Sequence, residues 1–334
     1  MTGGSGMLGS AVVERLRPRG LICLTRRQPV PAVPNVVVDL ADDRLGLDRA
    51  AYDRLVAETA VIVHCAARTG FRVGRETMMS TNRDGTGNLL KLAERGGARF
   101  VHVSSAFVAR RRYAPAEPPA GQPSPWHYLD SKQAAEDLVG ASAVPSVIVR
   151  PSVVIGDSAT GQITTQQGFH TMLESFCKGL LPIVPFEAES TVDFVPQDIA
   201  AGAIADIVAD PAVTGERWLT SGSHAVTAEA ISVACCAVMA EAGREPRRPR
   251  FAPPDMVDRL ILPTFAPVLP PRLLRMFLGL VAMGRLFGPD REPFPTSLPP
   301  LVAGVPLGQV MRQALEANIR YSSDLPAHVR DEAA

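Results

Sequence analysis

Met1 is followed at once by Thr2-Gly3-Gly4-Ser5-Gly6-Met7-Leu8-Gly9, and Ser10 to Leu16 behind it carry apolar positions at helical spacing. A glycine loop that opens a helix suits a dinucleotide pyrophosphate, because backbone N–H groups and a helix N-terminus must reach its oxygens with no side chain between. Gly3 and Gly6 are expected to supply the tight turn and the close backbone approach, and Gly9 the close contact between helix and sheet. Ser5, Met7 and Leu8 lie between them in the same cofactor-binding loop. Such a loop hangs from the central strand of a parallel sheet, and here no strand precedes it. Its absence would leave the strands on either side without a neighbour, which predicts that the start at Met1 is artificial and that the natural protein begins several residues earlier.

The first half alternates short aliphatic runs with helical patterns, the signature of a parallel sheet covered by helices. Strands are expected at Leu21 to Leu24, Val36 to Val38, Val61 to Val63, Phe100 to Val103 and Val147 to Val149, with helices over 11–17, 48–57, 84–95 and 129–140. The fold class is therefore α/β, a Rossmann-type doubly wound parallel sheet, with a smaller, mostly helical C-terminal lobe for substrate. Residues 1–160 are assigned to the dinucleotide-binding domain, to which 190–222 return; 161–189 and 223–334 form the substrate lobe. The Pro-rich stretch from Ala114 to Pro125 reads as a surface loop just ahead of Tyr128, placed to border a substrate cleft.

Thirty-four basic residues balance 34 acidic ones and no long basic run occurs, so the chain has no nucleic-acid signature and a small-molecule substrate is expected. Cys23, Cys65, Cys177, Cys235 and Cys236 have no metal-ligand spacing, so no metal is expected, and with no secretory signal they read as reduced thiols of a cytoplasmic protein.

Three further features carry chemistry. Leaving the strand Leu21 to Leu24 the chain reads Leu24-Thr25-Arg26-Arg27, where an NAD-preferring site would place a carboxylate on the ribose 2′-hydroxyl. A guanidinium fork suits a phosphate, so Arg26, with Arg27 as helper, points to NADP(H) as the preferred cofactor and NAD(H) as the second choice. Tyr128 and Lys132 lie one helical turn apart on one face, close enough for an ammonium to lower the pKa of a phenol. Ser105, at the end of the strand Phe100 to Val103, is presented at the sheet edge where open α/β folds bind ligands, with Ser104 as its competitor.

Glycine loop, strand-end serine and Tyr-x-x-x-Lys, in this order, resemble the extended branch of the short-chain dehydrogenase/reductase superfamily. Asp39-Leu40 resembles its acidic-apolar pair at the adenine, and His64-Cys65-Ala66-Ala67 the loop that passes beside the cofactor. Asn82-Arg83-Asp84-Gly85-Thr86 resembles its Asn-x-x-Gly-Thr segment, and Arg150-Pro151-Ser152 through Gly156 the segment on the nicotinamide side. Val192 to Asp198 is similar to a late segment of the family, and beyond residue 225 no motif is recognised. Within the branch, the run from Asp39 through Tyr52-Asp53-Arg54-Leu55 to Ala67 looks most like the thioester-reductase and fatty-acyl-CoA-reductase group.

The resemblance implies an NADPH-dependent oxidoreductase that reduces an acyl thioester or a ketone or aldehyde, with the substrate free or carried on CoA or a carrier protein. It implies Tyr128 as general acid, Lys132 lowering its pKa and holding the nicotinamide ribose, and Ser105 polarising the carbonyl. Two rivals are a nucleotide-sugar epimerase or dehydratase and a non-catalytic NADP(H)-binding protein. A homodimer is compatible with the sequence without being specified by it. Residues 272–288 are apolar with arginines at intervals, and their longest uncharged run of nine residues is below the roughly 20 needed to span a bilayer. They read as a core or lid helix, with an interfacial membrane helix as the weaker alternative.

Overall fold

The computed structural model describes residues 1–113, 117–119, 121–180, 182–245, 248–288 and 291–324, without the side chains of 112, 113 and 324. It forms two compact units, one of Met1–Tyr113, Trp126–Ser152 and Gln197–Leu219, the other of Ala114–Pro125, Val153–Pro196 and Thr220–Ala334.

The first unit is an all-parallel sheet of β1 (Cys23–Thr25), β2 (Asn35–Val37), β3 (Val61–His64), β4 (Arg99–Val103), β5 (Ser146–Pro151) and β6 (Gly215–Leu219). Pairings such as Leu24↔Val36, Ile62↔Phe100, Val101↔Val147 and Arg150↔Trp218 fix its register. Observed ends differ from the expected ones by up to four residues, with the helices Met7–Leu16 and Pro125–Ala141 each starting four residues earlier and the first strand two residues later, at ends where periodicity carries least information.

The expected gap in the middle of the sheet is filled in part, which corrects the reading that its flanking strands lack a neighbour. Thr2 forms parallel bridges to Leu24 on one side and His64 on the other. Thr2 N–H donates to the Val63 carbonyl at 3.0 Å, Leu24 N–H to the Met1 carbonyl at 2.7 Å, and the Met1 ammonium to the Ile22 carbonyl at 2.7 Å. Two residues thus join β1 and β3 into one layer, in the order β2-β1-Met1/Thr2-β3-β4-β5-β6.

Helices α1 (Met7–Leu16), α2 (Arg49–Glu58), α3 (Gly85–Gly96), α4 (Pro125–Ala141) and α5 (Gln197–Ala209) cover the sheet. Helices α1 and α5 pack on each other. On the other face Tyr52 and Leu55 of α2, Leu89, Leu90, Leu92 and Ala93 of α3 and Val139 of α4 share one core with Ile62 and Phe100 of the sheet. Burial of side chains this size, worth roughly 1.5–3 kcal/mol each, sets the register of helices on strands. Ahead of α3 the turn Ser80–Asp84 is a π-helix, a local widening that often marks a functional site. It aims Asn82 inward at 1% exposure, and the Thr86 hydroxyl donates to the Asn82 carbonyl at 2.6 Å.

In the second unit Val153–Ile155 pairs in parallel with Phe194–Pro196, and helices Gly168–Cys177, Ala228–Glu241, Pro271–Gly284 and Leu307–Asp324 make up most of the rest. Asp193, in the late family-like segment, accepts from the N–H groups of Ser221 and Gly222 at 2.8 and 2.9 Å, which fixes the turn that follows β6. Helix Pro271–Gly284 buries Phe277, Leu280, Val281 and Met283, and Phe277 and Val281 pack in a core with Val257 and Leu262. The apolar face that an interfacial helix would offer to lipid is therefore spent on packing, and the core reading holds. Among the described residues no helix is long and apolar enough to cross a membrane. In the Pro-rich stretch, Glu117–Pro119 and Gly121–Ser124 carry no regular structure, while 114–116 and 120 lie outside the described residues.

Candidate active site

The site is built on the C-terminal edge of the parallel sheet, from the loops that leave Thr2, β1, β3, β4 and β5. Gly3 has φ +73°, and a Cβ there would lie 2.5 Å from the Ala66 backbone nitrogen, so this glycine makes the close approach to the loop after β3. Gly9 was expected to face the sheet, and the structure corrects this: a Cβ on Gly9 would overlap the Gly3 carbonyl oxygen. Its lack of a side chain therefore lets α1 sit on its own glycine loop. At Gly6 an added Cβ would meet only the Gly3 oxygen, at 3.4 Å, which leaves the outer side of the turn open. No side chain caps α1, so the first-turn N–H groups that include Met7 and Leu8 are available to an anion, next to Ser5, which is exposed.

The loop after β3 is held from both sides. Thr2 Oγ1 accepts from Ala66 N–H at 3.2 Å and bonds His64 Nδ1 at 2.7 Å, while His64 Nε2 reaches Thr86 Oγ1 at 3.1 Å. Burial drives the His64 pKa down to about 3, so the ring is a neutral strut between the glycine-loop stub and α3. Asn82 bonds the next residues in both directions, accepting from Arg68 N–H at 2.7 Å and donating to the Arg68 carbonyl at 2.9 Å. Its amide also donates to Ser131 Oγ at 2.9 Å, and that hydroxyl donates to the Tyr128 carbonyl. The cofactor-side loop Cys65-Ala66-Ala67-Arg68 is thus tied to α4 one residue from Lys132. Burial pushes the Cys65 thiol up to about 12, which removes it as a nucleophile at neutral pH.

Ser105, Tyr128 and Lys132 come together at the end of β4. The Ser105 hydroxyl lies near enough to the Tyr128 phenol to pull its pKa down, and Phe107 N–H donates to Ser105 Oγ at 3.3 Å. Ser104 Oγ, by contrast, is buried with no partner among the described residues, so the geometry separates the two serines. Lys132 is 3% exposed, and its Nζ donates to the Val103 carbonyl at 2.8 Å. An ammonium has three donors, and one protein acceptor is in reach among the described residues, which leaves room for the hydroxyls of a ribose. Burial pushes Lys132 down to about 8. Burial likewise raises Tyr128 to about 12, against the pull of the Ser105 hydroxyl. The Glu136 carboxylate raises it further.

Arg150 leaves the site. Its guanidinium makes a fork with Glu136 of α4 at 3.0 and 2.6 Å, bonds Glu216 at 2.6 Å and lies 4.7 Å from the Trp218 ring centre. It fastens α4 to β5 and β6, and only Pro151 and Ser152 stay at the strand end, where Ser152 N–H donates to the Leu219 carbonyl at 3.0 Å.

At the other end, Arg26, Arg27, Val37, Val38, Asp39, Leu45, Gly46 and Arg68 line a cleft of about 530 Å³. Asp39 Oδ1 accepts from Ala41 N–H at 3.1 Å, and Asn88 of α3 holds the Leu40 carbonyl at 3.0 Å, so this turn is braced. The residues present fit a dinucleotide phosphate at two places: an uncapped helix N-terminus behind a glycine turn, and a cleft with three guanidiniums against one carboxylate. Arg68, Ser131 and Asn88 belong to no motif in the chain, and only their placement after folding brings them in. Among the described residues no group of His, Cys, Asp and Glu side chains could hold a metal ion.

A family model described as male sterility protein matches residues 30–204. A ceramide reductase of Caulobacter vibrioides is 35% identical over 166 residues, which cover 48% of this chain and 47% of that protein. A hybrid PKS-NRPS synthetase of Talaromyces variabilis is 30% identical over 223 residues, 62% of this chain and 6% of the synthetase. The chain therefore spans about half, or far less, of these relatives. Among solved structures, the terminal R domain from the myxalamid PKS-NRPS biosynthetic pathway superposes with a TM-score of 0.70 at 22% identity, covering 96% of this chain and 88% of that one.

Proposed function

This chain belongs to the male sterility protein family, within the thioester-reductase-like, NAD(P)-binding extended short-chain dehydrogenases/reductases, and we propose that it is an NADPH-dependent reductase of an acyl thioester. The observation that carries the reading is the Ser105–Tyr128 hydroxyl pair at the end of β4, with Lys132 anchored one turn along on the Val103 carbonyl. A nicotinamide bound there supplies hydride. Ser105 Oγ donates to the thioester carbonyl oxygen and draws charge onto it, and Tyr128 gives that oxygen its proton. Hydride on carbon and proton on oxygen make a thiohemiacetal, which loses its thiol to leave an aldehyde. Lys132 holds the ribose, and the cleft at Arg26, Arg27 and Arg68 takes the adenosine end. The match to a PKS-NRPS synthetase supports the thioester, the substrate implied by the resemblance to the thioester-reductase group. In this proposal residues 161–189 and 223–334 choose the substrate.

Consumption of NADPH on addition of acyl-CoA or acyl-pantetheine, with aldehyde formed in equal amount, is the expected result. Turnover of free ketones or aldehydes alone would replace the thioester with the second reading, a carbonyl reductase, which the 35% identity to a ceramide reductase favours. Cofactor choice has its own test. Loss of a charge-assisted contact to phosphate costs roughly 1.5–3 kcal/mol, so Arg26→Ala should lower kcat/KM for NADPH by about tenfold or more and leave that for NADH within about twofold. Equal efficiency with both cofactors in the wild type, unchanged by Arg26→Ala, would remove NADPH preference from the proposal.

A further inference from the structure

The three guanidiniums of the cleft differ in how they are held. Arg26 and Arg27 are exposed on the turn after β1, and their side chains have no hydrogen-bond partner among the described residues. Arg68 is half-buried, its backbone N–H and carbonyl are both bonded by Asn82, and its Nε donates to Thr81 Oγ1 at 3.3 Å. Its two Nη nitrogens have no partner among the described residues. Asn82 is itself 1% exposed, inside the π turn, and tied to Ser131. A guanidinium fixed at its root and at Nε, with its terminal nitrogens unengaged at the cleft, has little rotamer entropy left to lose when an anion arrives. The exposed pair must be ordered on binding, at roughly 0.5–1.5 kcal/mol for each side chain.

We infer that Arg68 is the preorganised anchor of this cleft, a specificity-determining residue for the cofactor 2′-phosphate, with Asn82 as its positioning residue. The inference rests on the NADPH reading above and goes beyond it, because it places the selective contact on the loop after β3 and not on Arg26 alone. Asp39 is the one carboxylate lining the cleft, and its Oδ1 is engaged by Ala41 N–H. Bound phosphate would thus meet three cations, one of them already in place.

Titration calorimetry with cofactor fragments separates the contacts without turnover. Wild-type protein should bind 2′,5′-ADP at least tenfold more tightly than ADP, which has the diphosphate but lacks the 2′-phosphate. Arg68→Met should remove most of that preference, leaving ADP affinity within about twofold, and Arg68→Lys should restore it only in part, since a point charge lacks the fork. Asn82→Ala should lower the preference in the wild-type background and have no further effect on it in Arg68→Met; that non-additivity separates positioning from a general loss of structure. Three results overturn the inference. If Arg68→Met keeps the preference while Arg26→Ala loses it, NADPH selectivity stands and Arg68 is not its anchor. If Arg68→Met weakens both fragments equally, the residue serves the adenosine 5′-phosphate that both carry. If the wild type has no preference, the NADPH reading falls together with this one.

Discussion

Tyr128→Phe should lower kcat about 1000-fold while the Kd for NADPH changes by less than about twofold. The substitution removes one oxygen and keeps the ring, and a positioned general acid contributes typically 10²–10⁴-fold. Ring packing against Phe71, with centroids 6.5 Å apart, does not depend on the hydroxyl. The proposed cofactor sites at α1 and the arginine cleft do not include the phenol oxygen, so binding should survive. A tyrosine pushed up to about 12 by burial stays protonated across the working pH range, which suits an acid that delivers a proton to a developing oxyanion and not a base that removes one. The same height means that Tyr128 sets no limb of the pH profile near neutrality. Stopped-flow measurement of hydride transfer, beside fluorescence titration of NADPH, checks both halves. Wild-type rate in the variant, or loss of rate explained wholly by lost cofactor, would remove Tyr128 from the acid role.

The parts of this site that could be read in the sequence are those in which chemistry and chain neighbourhood coincide. The glycine loop, Ser105 at a strand end and the Tyr128/Lys132 spacing are local patterns, since turns, strand ends and helical faces are set within a few residues. The sheet was legible for the same reason, because its buried strands are short aliphatic runs bounded by breakers. What stayed hidden depends on contacts between distant segments. Arg68 acquires meaning only when the π turn swings Asn82 onto it across 14 residues, and Ser131 only when the same amide reaches it across 49. Gly9 was assigned the wrong neighbour because a spacing says that a side chain is excluded and not by what. The strand before the glycine loop was counted as missing because two residues make no periodicity, yet Met1 and Thr2 suffice to bridge β1 and β3.

Lys132→Met carries the second large effect, and its two consequences have opposite signs. Activity should fall at least 100-fold, since the side chain proposed to hold the ribose hydroxyls is gone. Stability at pH 7 should rise. Burial depresses the ammonium from 10.5 to about 8, so below pH 8 both folded and unfolded chains carry the proton and the folded one carries it at a cost. At about 1.36 kcal/mol per pKa unit that cost is at most about 3 kcal/mol, and the lost bond to the Val103 carbonyl gives back about 1. Methionine fills nearly the same volume without a charge, and a net gain of about 2 kcal/mol is expected at neutral pH. Between pH 8 and 10.5 the unfolded chain binds the proton more tightly than the folded one, so wild-type stability rises with pH in that window and the advantage of the variant shrinks. Urea unfolding of both proteins at pH 7 and pH 10 measures the difference. A variant that is inactive and also less stable at pH 7 would show that the ammonium is a structural keystone and not a charge held at the fold's expense for the cofactor.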